Sequence, residues 1–119
     1  MSVHHEFGKW AETQAVLYLE AQGYEVLERN YRYDRAEVDI IAKYADRIII
    51  AEVKARSTDY FGDPHDFISR KKVRLLVKAA NHYIRSNGLD QEVRFDAIAI
   101  VKQGSGFRVV HLEDAFYFF

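Results

Sequence analysis

The sequence predicts an α/β fold in which a mixed central β-sheet is flanked by helices. Helical periodicity occurs in two separate segments, with three strand-like segments between them and two more after the second helix. Elements in that order form one layered domain of sheet and helices. With 119 residues, the chain is long enough for a single domain, residues 1–119, and too short for two.

The first helix is predicted over residues 5–22, because small and apolar residues recur there at steps of three and four. Gly23 follows as a stop signal. The recurring residues are Phe7, Ala11, Ala15, Tyr18 and Ala21.

Strands are predicted where β-favouring residues are bounded by turn signals. The predicted strands are residues 24–33, 37–43, 48–54, 93–102 and 107–112. Turns at residues 34–35 and 45–46 separate the first three strands, and residues 55–67 are predicted to form a polar loop. The aromatic tail, residues 116–119, is expected either to dock on the core or to make a subunit contact.

The turn at residues 45–46 sets the register of a hairpin in which residues whose numbers sum to 91 stand opposite each other. Asp39 is then expected to face Glu52, and Glu37 is expected to face Lys54. Side chains alternate along a strand, so all four charged groups should share one face. The residues expected on the other face are Val38, Ile40, Ala51 and Val53.

Carboxylates gathered on one face repel one another unless a cation lies among them, and Mg²⁺ and Mn²⁺ prefer oxygen ligands. We therefore expect Asp39 and Glu52 to bind Mg²⁺ or Mn²⁺, with Lys54 beside them. Glu12 lies on the sheet-facing side of the first helix and could complete the metal shell. For Glu37, an ion pair across the strands is the preferred interpretation.

The second helix begins with a cluster of positive charge. Ser69 is the predicted N-cap, the helix runs to about residue 87, and residues 67–89 contain no acid. Cations in a first turn oppose the helix dipole, whereas a phosphate there gains from the dipole and the charges together. We therefore predict that Arg70, Lys71 and Lys72 contact the backbone of nucleic acid, with Arg56 nearer the scissile phosphate. A solvated helix face is the alternative.

The ordered set of motifs resembles a known family. Glu37, Val38 and Asp39, followed after a turn by Glu52, Val53 and Lys54, with Glu12 on a preceding helix, are similar to the PD-(D/E)XK nuclease superfamily and its archaeal Holliday-junction resolvases. More closely, most of the chain resembles the bacterial YraN family of endonuclease-like proteins. The matching stretches are residues 8–12, 23–24, 29–32, 37–41, 52–56, 62–64 and 94–96. Ala36 departs from the pattern, because the family usually has glycine before this glutamate.

The resemblance implies a restriction-endonuclease-like fold and hydrolysis of phosphodiester bonds in nucleic acid, with branched or damaged DNA as the substrates considered. By the same resemblance, Asp39 and Glu52 would bind Mg²⁺ together with the Val53 carbonyl, and Glu12 would assist directly or through water. Lys54 would position the attacking water. Likeness to junction resolvases would also imply a homodimer.

Composition limits the function further. The chain has no cysteine, which excludes disulfides and thiolate metal sites and fits a reducing compartment, so we expect a cytoplasmic protein without membrane segments. A net charge of −1 indicates that any phosphate binding is local. Two alternatives to a nuclease stay open: a non-catalytic nucleic-acid-binding module, and a protein-interaction domain with the same fold.

Overall fold

The computed structural model describes residues 3–57 and 68–116, with side chains from residue 6 onward within these ranges. These residues form two helices and a five-stranded sheet. The helices are α1 (Val3–Ala21) and α2 (Arg70–Ser86), and the strands are β1 (Glu25–Tyr33), β2 (Ala36–Tyr44), β3 (Arg47–Arg56), β4 (Glu92–Gln103) and β5 (Gly106–Leu112). The α/β class and the order of elements are confirmed, and the predicted bounds differ from the observed ones by at most two residues.

The sheet has the strand order β1-β2-β3-β4-β5 and is mixed. β3 and β4 are parallel neighbours, and the other pairs are antiparallel. Parallel neighbours need a crossover connection, and α2 lies in the chain between them. The predicted turn at residues 45–46 is confirmed: Ala45 and Asp46 have φ of 49° and 61°, as a two-residue hairpin of type I′ requires.

The helices cover opposite faces of the sheet, and each helix forms its own core with the face it covers. Side chains alternate along a strand, so neighbouring strand residues belong to different cores. On one face α1 packs through Ala11, Ala15, Val16 and Leu19 against Ile40, Ile49, Ala51 and Ile98. On the other face α2 packs through Val73, Leu76, Ala79 and Ala80 against Ile41, Ile48, Ile50 and Phe95. The run Ile48, Ile49 and Ile50 is fully buried because β3 lies in the middle of the sheet with a core on each side.

Details at the element ends differ from the sequence prediction. Ala21 is exposed rather than part of the apolar stripe of α1, because the helix ends there at the surface. Ser69 caps α2 as predicted, its Oγ accepting a hydrogen bond from the Lys72 amide at 3.1 Å. Phe116 lies in the core on the α2 face, while residues 117–119 are outside the described part of the chain.

Neither of the two described helices is long and apolar enough to cross a membrane.

Candidate metal and nucleic-acid site

The candidate site lies where β2 and β3 part. Their antiparallel ladder runs from Tyr44 opposite Arg47 to Ile40 opposite Ala51, which confirms the predicted register over those residues. Past Ile40, β2 stays paired with β1 but not with β3. There the Val53 amide of β3 donates its hydrogen bond to a side chain instead, and Asp39 Oδ2 accepts it at 2.8 Å. A carboxylate therefore sits at the point of divergence.

This divergence corrects part of the predicted face. If side chains alternated strictly along β2, Val38 would lie with Ile40 in the α1-side core. Val38 is instead buried with Ile41 in the α2-side core. The prediction assumed a straight ladder, and alternation holds only as long as both strands keep their pairing. The side chains of Asp39 and Glu52 are in contact, but the two residues are not partners in the β2–β3 ladder.

Glu37 was predicted opposite Lys54, and that pairing is wrong. Glu37 forms its ion pair with Arg32 on β1, with 2.9 Å between Oε2 and Nη2. The β1–β2 ladder aligns these two residues directly. The interpretation of Glu37 as an ion-pair residue therefore holds, but with a different partner. Its side chain lines a groove together with Gly8 and Glu12 of α1.

Glu52 is the unusual group of the site, because it is a carboxyl that is only 5% exposed. Burial, followed by the negative charge of Asp39, raises the pKa of Glu52 from its ordinary 4.5 to about 8. Burial also raises the pKa of Asp39, although hydrogen bonding by the Val53 amide and by the Glu52 side chain lowers it. Glu52 Oε2 is buried without a hydrogen-bond partner. The two acids are therefore buried side by side, and one Glu52 oxygen has no hydrogen-bond donor.

Two lysines face this acid pair. Lys54 Nζ lies 3.9 Å from Glu52 Oε1 and its side chain is 29% exposed. Lys72 Nζ donates a hydrogen bond of 3.2 Å to the Glu37 carbonyl, which brings the first turn of α2 to the site. The positive charges of both lysines lower the pKa values of Asp39 and Glu52, though less than burial raises them. Lys72, predicted as a phosphate contact, is therefore also a neighbour of the acids.

Glu12 approaches the pair from the α1 side. Burial and then the charge of Asp39 raise the pKa of Glu12, while a hydrogen bond to Asn30 lowers it. Glu12 thus points toward the sheet as expected, with Asn30 as its nearest polar partner. It lines a groove of about 740 Å³ that also contains the cationic residues Lys9, Arg29 and Arg32.

The donor set fits a hard divalent cation. Two carboxyls in contact and a buried oxygen without a donor are what such an ion would satisfy. Within the described ranges, however, no three His, Cys, Asp or Glu side chains are grouped closely enough to form a complete site. Any further ligands would have to be the Val53 carbonyl, water, the substrate phosphate or Glu12 after a small rearrangement.

The other predicted cations surround the site at greater distance. Arg70 and Lys71 are exposed on the first turn of α2. Arg56 is the last residue of β3 rather than part of the polar loop predicted for residues 55–67. Its Nη1 donates a hydrogen bond to the Ala55 carbonyl at 3.0 Å. The resembling stretch at residues 62–64 is outside the described part of the chain.

A second buried acid was not predicted from the sequence. Asp96 on β4 is fully buried and accepts hydrogen bonds from Arg94, from the Asp114 amide and from His111, with the His111 Nε2 at 2.7 Å. Burial alone would raise the pKa of Asp96, but these hydrogen bonds from His111, Arg94 and Asp114 bring it below the ordinary value. Tyr24 accepts a further hydrogen bond from Arg94. The available signals were an acid inside an apolar strand and the family-like stretch at residues 94–96.

Comparison with known proteins identifies relatives along the whole chain. The model of the uncharacterised protein family UPF0102 matches residues 11–100. A UPF0102 protein of Christiangramia forsetii is 54% identical over 119 residues, and one of Flavobacterium psychrophilum is 47% identical, each over 100% of both chains. A UPF0102 protein of Phocaeicola vulgatus is 39% identical over 98% of this chain and 97% of its own.

Among solved structures, this chain is similar to Pyrococcus furiosus SfsA in complex with Ca²⁺, at 15% identity and a TM-score of 0.33. The alignment covers 90% of this chain and 60% of that one. A TM-score this low carries no inference about the present site.

Proposed function

This chain belongs to the uncharacterised protein family UPF0102, the YraN family that its motifs resemble, and we propose that it hydrolyses phosphodiester bonds in nucleic acid with a divalent metal. The family description names no reaction, so the proposal rests on the chemistry of the site. We further propose membership of the PD-(D/E)XK nuclease superfamily, DNA as the polymer, and the cytoplasm as the compartment.

One observation carries the proposal: Glu52 and Asp39 are held in contact, and Glu52 Oε2 is buried without a donor. A buried carboxyl oxygen without a donor costs stability, and acids with strongly perturbed pKa values cluster at functional sites. Asp39 and Glu52 would hold Mg²⁺ or Mn²⁺, together with the Val53 carbonyl. Such an ion supplies Lewis-acid polarisation of the phosphate.

The lysines supply the remaining charge. The Lys54 ammonium, close to Glu52, can orient the attacking water and stabilise negative charge growing on the phosphate oxygens. Lys72 reaches the same place from α2. Arg70 and Lys71, exposed beside it, would bind the flanking backbone phosphates.

The test is cleavage by purified protein of single strands, duplex, flaps and four-way junctions, with Mg²⁺, with Mn²⁺ and with a chelator. Lys54→Ala is expected to slow cleavage by about 10²- to 10³-fold, the usual loss when one group that stabilises transition-state charge is removed. Asp39→Asn should lose at least as much, because it weakens metal binding as well. Circular dichroism and thermal unfolding check that both variants fold.

Matched controls are Lys43→Ala and Asp90→Asn, which remove exposed groups of the same kinds elsewhere. Both should cleave at the wild-type rate. Cleavage that survives in Lys54→Ala and Asp39→Asn alike would come from a contaminant or another site, and would refute the proposal.

A non-catalytic nucleic-acid-binding module is the second candidate. It is favoured by the finding that, in the described part of the chain, no three acidic or histidine side chains form a complete metal site. Salt-sensitive binding of nucleic acid without cleavage in any metal would support this candidate over the first.

A further inference from the structure

We propose that an aromatic groove beside the end of β3 binds unpaired bases, so that the substrate carries a single-stranded segment next to the cleaved bond. The groove is lined by Phe7, Trp10, Arg56, Lys102 and Phe107, among others, and has a volume of about 860 Å³. That volume lies within the range of about 300–1,000 Å³ typical of ligand sites. The inference deepens the proposed function, because it names the substrate class of the same site.

Two rings of the groove, those of Trp10 and Phe107, are exposed although they are large and apolar, and Phe7 is half-buried. Trp10 is 37% exposed and Phe107 is 38% exposed. Trp10 meets Phe107 edge-on with 4.9 Å between ring centroids, and Phe7 stacks against Trp10 at 5.9 Å. A monomer gains nothing by leaving such rings in water, so contiguous exposed rings indicate a ligand surface.

Cations accompany the rings. Lys102 Nζ lies 4.9 Å from the centre of the Phe7 ring, and Arg56 lies on the groove wall. Among the described residues that line the groove, Glu6 is the one acid. Exposed rings interleaved with Lys and Arg are the arrangement by which proteins bind single strands, because bases stack on the rings while phosphates meet the cations.

The position of the groove connects it to the candidate site. Arg56 follows Lys54 by two residues on β3, a distance of about 7 Å along a strand. Side chains of β3 alternate between the two cores, so Lys54 faces the α2 side while Trp10 lies on the α1 side. A nucleic-acid strand that contacts both would therefore pass around the end of β3, where Arg56 lines the groove. The turn between β4 and β5 borders the groove with Gly104, where an added Cβ would meet no atom within 4 Å, leaving room for the strand.

A second copy of this chain is the competing occupant, since exposed rings also form subunit contacts. The charges favour nucleic acid. A symmetric contact across the groove would bring Lys102 near its own copy, with Glu6 as the one acid that each chain adds from the described lining. Phosphates would neutralise the same cations directly.

The test uses Trp10, the only tryptophan of the chain, as the reporter. Wild-type protein in a chelator, so that no cleavage occurs, is titrated with a short oligothymidylate and with an abasic strand of the same length. Oligothymidylate should quench Trp10 fluorescence and bind roughly 5- to 100-fold more tightly than the abasic strand, the range expected from stacking one base. Polarisation of labelled strands gives the affinities of the variants.

Trp10→Ala and Phe107→Ala should each remove most of the preference for strands with bases, while binding of the abasic strand stays within twofold. Both side chains are over a third exposed, so neither variant opens a core cavity. Leu17→Ala is the matched control, because Leu17 is an exposed apolar residue of α1 outside the groove, and it should bind like wild type.

Equal affinity for the two strands without quenching overturns the proposal. So does a concentration-dependent dimer that Trp10→Ala dissociates while strand binding is unchanged, because the groove is then a subunit contact. Base-dependent binding without cleavage in any metal supports the groove and refutes the nuclease. Cleavage without base preference refutes the groove alone.

Discussion

Replacing Glu52 by glutamine should make the metal-free protein more stable at alkaline pH. Glu52 is 5% exposed, and burial together with Asp39 raises its pKa from 4.5 to about 8. Ionising this carboxyl therefore costs more free energy in the folded protein than in the unfolded chain, so ionisation lowers the free energy of unfolding. Glutamine has nearly the same shape, does not titrate, and can donate its amide N–H to Asp39.

The magnitude follows from the two pKa values. Because the folded protein binds this proton more tightly than the unfolded chain, the free energy of unfolding should fall as pH rises from about 4.5 to about 8, and stay level beyond. At about 1.4 kcal/mol for each tenfold change in proton affinity, the full effect is roughly 5 kcal/mol. The total stability of a small domain is only about 5–15 kcal/mol. Water that reaches the ionised Glu52 would reduce the cost of its burial. We therefore expect the stability difference between Glu52→Gln and wild type to be about 2–5 kcal/mol at alkaline pH.

The assay is urea unfolding in a chelator at several pH values between 5 and 9, for wild type, Glu52→Gln and Glu92→Gln. The difference between Glu52→Gln and wild type cancels the titrating groups that do not contact Glu52, and it reports Glu52 together with its neighbour Asp39. It should be small near pH 5 and grow to its full size above pH 8. Glu92, an exposed partner of Arg47, provides a control that should show no such pH dependence. A difference that is constant with pH, or a variant less stable than wild type at pH 9, would refute the reasoning.

Three other changes test separate features. Asp96→Asn leaves Arg94 without its buried counter-charge and should lower the free energy of unfolding by about 3–5 kcal/mol in urea; a loss under about 1 kcal/mol would contradict the role of this network. Ala45→Gly removes a left-handed alanine at φ 49° and should raise the free energy of unfolding by roughly 0.5–1 kcal/mol, whereas no gain would show that the turn is unstrained. Lys71→Gln should weaken binding of any DNA sequence and lower its salt slope by about 1, and an unchanged slope would remove this residue from the interface.

The sequence predicted the hairpin because local signals agree there. The turn at residues 45–46 and the β-branched run of β3 leave one register that buries the isoleucines, and that register is observed from Ile40 to Tyr44. The prediction failed just beyond, at Val38 and Glu37, because β2 exchanges its pairing with β3 for pairing with β1 alone. Where a strand leaves its neighbour depends on the whole sheet, and periodicity does not record it.

Contacts between distant segments could not be predicted either. Lys72 was selected for its place in a basic first turn, and only the packing of α2 against β2 brings its ammonium to the Glu37 carbonyl, 35 residues away in sequence. Trp10 and Phe107 are in ring contact only because packing brings α1 beside β5. Neither residue belongs to a local pattern that predicts a partner.

The two buried acids of the sheet allow a comparison within one molecule. Asp96 has donors from Arg94, His111 and the Asp114 amide, and its pKa is held below the ordinary value. The same fold leaves an oxygen of Glu52 without a donor, beside a second acid that raises its pKa. This sheet is thus able to satisfy a buried carboxylate fully with its own groups. Because it does so at Asp96 and not at Glu52, the unsatisfied oxygen supports the proposed metal site.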